Sequence, residues 1–347
     1  LLISLMIENG GELGGSLSSY TKGIKLGEGT WGHVFEATRR LDGSKVAIKR
    51  IKPINRATDP HLPPGVNFTA IREIKYLKEL KDSINIIELI DVFISEGVLH
   101  LVLEFCSTDM EKVIRDKTIF LEKSHCKRYL EMILRGVETC HKLFILHRDL
   151  KPANLLIGND GQIKLADFGL ARNHGSPQAM TSEVVTRWYR APELLFGAVG
   201  YAEGVDMWAV GCIFAEIVLR VPLFPGDSDV EQLGKIFNIL GTPTEADWPH
   251  VQLLPNYVEF EPCAALSLAP LLCPPTATAS QAGLEEGQSR LDLLMKMLTL
   301  NPNHRITASQ ALQHPYFSLA PLPCSVEELP SSPKTAGPPP TKRMRPG

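Results

Sequence analysis

None of the seven cysteines stands in a C-x-x-C pair. That spacing removes zinc knuckles and a disulfide framework and points to reduced, intracellular thiols. No apolar run reaches the roughly 20 residues a membrane span requires. The opening stretch from Leu1 to Ile7 is apolar but short, has no basic flank, and runs into Glu8-Asn9-Gly10-Gly11. It reads as neither signal peptide nor anchor. A formal net charge of −3 supplies no field to gather nucleic acid or anionic lipid. The expectation is a soluble intracellular protein that makes no direct nucleic-acid contact and does not enter a membrane.

What is present is ample core. The 347 residues are 44% hydrophobic, enough for one large domain or two ordinary ones. Residues 1–19 read as a flexible leader. From Tyr20 to Phe105 the pattern is strand-like: Ile24 to Leu26, His33 to Thr38 and Lys45 to Lys49, then Ile86 to Phe93 and Val98 to Phe105. One helix interrupts them, Thr69 to Lys81, from apolar spacing at Ile71, Ile74 and Leu77. Beyond Cys106 helices dominate: His125 to Leu143, the nearly continuous apolar run Val205 to Leu219, Leu291 to Leu298, and Ala308 to Leu312. Glu261 to Ser289, rich in Pro, Ala and Thr, reads as a surface insert. Residues 318–347 hold eight prolines and read as a disordered tail. A small β-rich lobe over 20–105 thus precedes a larger helical lobe over 106–317, in the α+β class, with a ligand crevice expected between them.

The densest chemistry is His147-Arg148-Asp149-Leu150-Lys151-Pro152-Ala153-Asn154, followed thirteen positions later by Asp167-Phe168-Gly169. Transfer of a phosphoryl group needs its charge neutralised and a weak nucleophile aimed. Asp149 suits the acceptor of a hydroxyl proton, Lys151 a cation on the moving phosphate, and Asn154 and Asp167 the oxygen ligands of Mg2+. His147 reads as a packed structural residue. Upstream, Gly27-Glu28-Gly29-Thr30-Trp31-Gly32-His33-Val34 fits a glycine-rich hairpin closing over nucleotide phosphates. Lys49, ending Val46-Ala47-Ile48-Lys49, is the expected cation on those phosphates. Glu73 on the single small-lobe helix is its expected partner.

Taken together, residues 20–317 resemble a eukaryotic protein kinase, with Ala191-Pro192-Glu193 closing the activation segment, Arg305 as its ion-pair partner, and Asp206 as brace of the catalytic loop. Lys151 and Thr186 match the serine/threonine class. Asn67-Phe68-Thr69-Ala70-Ile71-Arg72-Glu73 is similar to the cyclin-facing helix of the cyclin-dependent kinases. Gly175-Ser176-Pro177, Val184-Val185-Thr186-Arg187-Trp188-Tyr189-Arg190 and Pro225-Gly226-Asp227-Ser228-Asp229 resemble catalytic subunits of the CDK-activating kinase.

The resemblance implies ATP and Mg2+ as cofactors, with nucleotide contacts from Leu26, Gly27, Glu28, Gly29, Thr30, Trp31, Gly32, His33, Val34, Ala47, Lys49, Leu103, Leu156 and Asp167. The backbone of Glu104 and Cys106 is expected on the base edge. It implies cyclin H and a RING-finger assembly factor as partners, membership of TFIIH, and work in the nucleus, with the cytoplasm left open. Implied substrates are activation-segment threonines of other cyclin-dependent kinases and the RNA polymerase II C-terminal repeat. Arg72, Arg148 and Arg172, from three separate elements, are expected to converge on a phosphate at Thr181, each charge-assisted bond worth roughly 1.5–3 kcal/mol. Ser176, before Pro177, is a second expected phosphorylation site. A cell-cycle or other transcriptional member of the family is the alternative, and a silent cyclin-binding scaffold a remoter one.

Overall fold

The computed structural model describes residues 16–29, 32–52, 67–173, 187–273 and 281–330. Five antiparallel strands build the small lobe: β1 Tyr20–Gly29, β2 Gly32–Arg39, β3 Lys45–Ile51, β4 Leu89–Ser95 and β5 Val98–Glu104, in sheet order β1-β2-β3-β5-β4. Alternation along β3 sends Val46 and Ile48 to the outer face with Tyr20, Ala37, Phe93 and Val102. The opposite face carries Ala47 and Lys49. Helix α1, Phe68–Glu79, covers part of this sheet, burying Ala70 and Ile74 against Ile51, Val92 and Leu101. It starts where Asn67 accepts from the amide of Ala70 at 3.1 Å, closing an N-terminal donor.

The large lobe holds α2 Met110–Arg115, α3 Lys123–Lys142, α4 Pro192–Leu195, α5 Gly204–Leu219, α6 Asp229–Leu240, α7 Ala269–Leu272, α8 Gln281–Met297 and α9 Ala308–Leu312. Short strands β6 Cys106–Asp109, β8 Leu155–Gly158 and β9 Ile163–Leu165 form one sheet, and β7 Ile145–Leu146 pairs with β10 Arg172–Asn173. α5 is buried on nearly every side, as its unbroken apolar run requires. Among the described residues no helix is long and apolar enough to cross a membrane, and all seven cysteines are free.

Three expectations are corrected. The stretch from Ile86 to Phe93 does not act as one strand: Asn85 to Ile87 are stitched to β9 of the other lobe, with Leu165 N donating to Asn85 O at 2.9 Å and Ile87 N to Leu165 O at 3.0 Å. Ladder pairing with β5 begins only at Leu89. The supposed insert from Glu261 to Ser289 contains α7 and the first turns of α8, which bury Leu268, Leu272 and Glu286. Its Pro/Ala/Thr composition masked an amphipathic helix. The tail read as starting at 318 is folded through Pro330. Lys127 Nζ donates to Leu319 O at 2.7 Å, Arg128 Nε donates to Cys324 O, Ser325 and Glu328 cap one another, and Leu329 is buried. Residues 331–347 lie outside the described ones.

Candidate active site

Lys49 leaves β3 on the cleft side and meets two carboxylates. Its Nζ donates to Glu73 Oε1 and Oε2 at 2.7 and 2.8 Å and to Asp167 Oδ1 at 3.1 Å. One ammonium therefore joins β3, α1 and the large-lobe segment after β9. Burial alone would pull Lys49 down, but the Glu73 and Asp167 charges outweigh it and hold the ammonium well above its ordinary range. Burial dominates at Glu73, whose carboxyl is pushed up despite Lys49. At Asp167 burial is outweighed by Lys49, and the carboxyl lies below its usual range.

Asp149 is buried and oriented from two sides. Its Oδ2 accepts from Lys151 Nζ at 2.8 Å and from Asn154 Nδ2 at 3.0 Å, and the same amide also donates to the Asp149 carbonyl at 2.8 Å. With its amide nitrogen committed, Asn154 keeps a carbonyl oxygen that takes no hydrogen bond from a described residue. The second oxygen of Asp167 is likewise without one. Both are oxygens of the kind a hard divalent cation takes.

The loop geometry has its own support. Arg148 and Asp167 both have left-handed backbones, with φ of 68° and 65°, which non-glycine residues adopt only when surroundings impose it. At Arg148 the imposing group is Asp206: its carboxylate accepts from His147 N at 2.9 Å, Arg148 N at 2.8 Å and His141 Nε2 at 3.0 Å. His147 is packed beneath the loop, its ring edge-on to Phe168 and its Nε2 against Ala166 O at 3.0 Å. The closing pair of the large lobe is present as well, with Arg305 bidentate on Glu193 at 2.7 and 3.0 Å.

The apolar residues expected around a base converge. Val34, Ala47, Leu103, Cys106 and Leu156 belong to one cluster, and Ala47 faces Leu103 in the β3–β5 register. Leu26, two-fifths exposed, sits in the irregular stretch of β1 beside Gly27, over which a Cβ would meet open space.

The polar residues expected at the nucleotide have partners of their own. The Glu28 side chain is exposed and held by Lys25 and Lys52 at 2.7 and 3.1 Å, with His33 at 3.5 Å. His33 lies on the strand face away from Val34, beside the ring of Phe35. The Glu104 amide donates to Glu88 O at 3.1 Å, so the base-edge expectation applies to its carbonyl. Burial pushes the Cys106 thiol up to about 12, leaving it a neutral group at this edge.

Of the control residues, Arg72, Arg148 and Arg172 do converge. The guanidinium of Arg172 lies close enough to depress both Arg72 and Arg148, after burial, and Arg72 adds to the effect on Arg148. Arg72 Nη1 donates to Gly169 O at 3.3 Å and Arg148 Nη1 to the Tyr201 hydroxyl. Thr30, Trp31, Ser176 and Thr181 lie outside the described residues. Sequence reasoning missed the Tyr189 hydroxyl donating to Glu216 at 2.7 Å and the stitching of Asn85 to β9. Asn85 belongs to no quoted motif, and Tyr189 stands in one, Val184 to Arg190, that gives no sign of its partner 27 residues on.

The family model for the protein kinase domain matches residues 20–317. The chain belongs to the protein kinase family. Among the kinases it resembles, Cyclin-dependent kinase D-1 of Oryza sativa subsp. japonica is 52% identical over 315 residues, covering 90% of this chain and 70% of that protein. Cyclin-dependent kinase 7 of Xenopus laevis is 47% identical over 321 residues, covering 89% and 87%. In structure, the chain matches one from the CAK complex of Chaetomium thermophilum bound to ATP-gamma-S, with a TM-score of 0.80, 42% identity, and coverage of 91% of this chain and 96% of that one. The kinase is accordingly an ATP-dependent serine/threonine kinase of the cyclin-dependent, CDK-activating type.

Proposed function

We propose that this kinase works in the nucleus as the catalytic subunit of a CDK-activating complex with a cyclin, of the H type by resemblance. A RING-finger assembly factor and TFIIH complete the proposed setting. Its proposed substrates are activation-segment threonines of other cyclin-dependent kinases and serines of the RNA polymerase II C-terminal repeat. The reading rests above all on Lys49 bonded to Glu73 and Asp167 together. That contact requires the two lobes and α1 to be arranged around one crevice.

In this reading Lys49 binds the inner phosphates and Glu73 fixes its direction. Val34, Ala47, Leu103 and Leu156 hold the base and exclude water. Mg2+ held by Asp167 and Asn154 would neutralise charge on the transferring phosphate. Asp149, with one oxygen occupied by Lys151 and Asn154, presents the other to the substrate hydroxyl and takes its proton. Lys151 steadies the phosphate as it moves. Arg72, Arg148 and Arg172 form the cationic seat for a phosphate on Thr181, which their mutual repulsion favours filling.

Magnesium-ATP transfer to a C-terminal-repeat peptide, by the chain with cyclin H, tests the proposal. Activity lost in Asp149→Asn is the expected result. An active chain that co-purifies with an A- or B-type cyclin instead would overturn the partner and substrate assignment.

A further inference from the structure

Two contacts bracket Glu73 along α1. One residue before it, Arg72 bonds the carbonyl of Gly169 at 3.3 Å. Three residues after it, the Tyr76 hydroxyl donates to Asn173 Oδ1 at 2.7 Å. Positions three apart share a helix face, so a rotation carrying Glu73 off Lys49 also draws Tyr76 off Asn173. Asn173 is no loose end. It pairs with Ile145, and Arg172 with Leu146, in the β10–β7 ladder. Ile145 and Leu146 run directly into His147, Arg148 and Asp149. The hydrogen bond therefore ties the helix to the frame that carries the catalytic loop.

The chemistry of Tyr76 supports a purpose beyond packing. Its ring is 4% exposed, within the cluster that includes Leu77, Leu80 and Ile86. Phenylalanine would fill that space, and a hydroxyl there is unfavourable unless bonded. Asn173 itself is exposed, so the core does not depend on its amide.

We propose that the Tyr76–Asn173 hydrogen bond is a latch, and that Tyr76 is a positioning residue holding α1 with Glu73 turned onto Lys49 before the cyclin arrives. The latch biases a two-state helix, so it acts on the cyclin's apparent affinity and not on chemistry once cyclin saturates. This inference rests on the cyclin-dependent reading.

The test compares wild type, Tyr76→Phe, Asn173→Leu, Asn173→Asp and the double variant Tyr76→Phe/Asn173→Leu. For each, the cyclin concentration giving half-maximal peptide phosphorylation is measured, together with kcat at saturating cyclin. Tyr76→Phe and Asn173→Leu are expected to need about two- to fivefold more cyclin. Asn173→Asp, which keeps an acceptor oxygen, stays at the wild-type value, and the double variant is no worse than either single one. kcat at saturation is unchanged throughout. Identical half-activation in all variants overturns the latch. A loss of kcat that saturating cyclin does not restore overturns it too, since that marks a fold defect. Inactive wild type would instead refute the kinase reading, so the two failures are separable.

Discussion

At Lys49 a buried ammonium faces two carboxylates, and it is the ammonium that makes their shared burial tolerable. Removing Glu73 leaves Lys49 paired with Asp167 alone and frees the ammonium from α1. Glu73→Gln is expected to raise the KM for ATP and to lower kcat about 10- to 100-fold, or ~1.4–2.8 kcal/mol. Steady-state kinetics with a repeat peptide measures it. Asp206 permits a pH prediction. Burial would raise its carboxyl, but the hydrogen bond from His141 and the charges and amides of the loop outweigh it, so its folded value lies below the ordinary one. A depressed carboxylate contributes stability in full above its unfolded value, about 3.9, and that contribution is lost as pH falls through the folded value. Asp206→Asn should therefore cost roughly 2 kcal/mol or more at pH 7 and lose less on further acidification. Denaturant unfolding across pH 3–7 reads both. A variant with the wild-type acid slope would refute the account.

Among the elements, those whose local signals agree with their packing were readable in advance. The spacing in α1, the apolar length of α5 and the glycine turns of the small lobe each had one consistent interpretation. α6 was not among the expected helices; it starts where Ser228 Oγ accepts from the Glu231 amide at 3.1 Å. The first turns of α8 gave no sign, because the neighbouring Pro/Ala/Thr composition hides a helix whose stability comes from burying Leu293, Leu294 and Met297 farther along. The ion pair Arg305–Glu193 joins the end of the activation segment to the turn after α8 and is buried at both ends. Arg305→Met alone is expected to cost about 3–5 kcal/mol, and adding Glu193→Gln should recover part of it. Chemical denaturation of the single and double variants would show this coupling, and strict additivity would refute it.

For the molecule as a whole, the described residues after the kinase-domain match, 318–330, are part of the folded body. Val326 packs against the core and lies on Gly161, whose φ of 80° marks the β8–β9 turn. Ending the chain after Phe317 is expected to lower stability by about 2–4 kcal/mol, from the apolar burial of Val326 and Leu329. Thermal unfolding of the shortened chain checks it. A second whole-molecule expectation concerns the arginine seat. Thr181→Ala should weaken the cyclin complex or its activity severalfold, because the phosphate proposed to join Arg72, Arg148 and Arg172 is lost. Equal cyclin affinity and equal kinetics in that variant would remove the role from Thr181.

Reading along the chain named the groups proposed to do the chemistry. Asp149, Lys151, Asn154, Asp167 and Lys49 stand in an order and spacing that phosphoryl transfer demands, and covalent order cannot be rearranged by folding. Only the tertiary structure decided distance and direction: that Lys49 reaches Glu73 and Asp167 at once, that Glu28 and His33 turn to each other, and that Tyr76 grips Asn173 across 97 residues. Those contacts depend on how a sheet and a helical lobe pack, and packing is a property of surfaces that lie far apart in sequence.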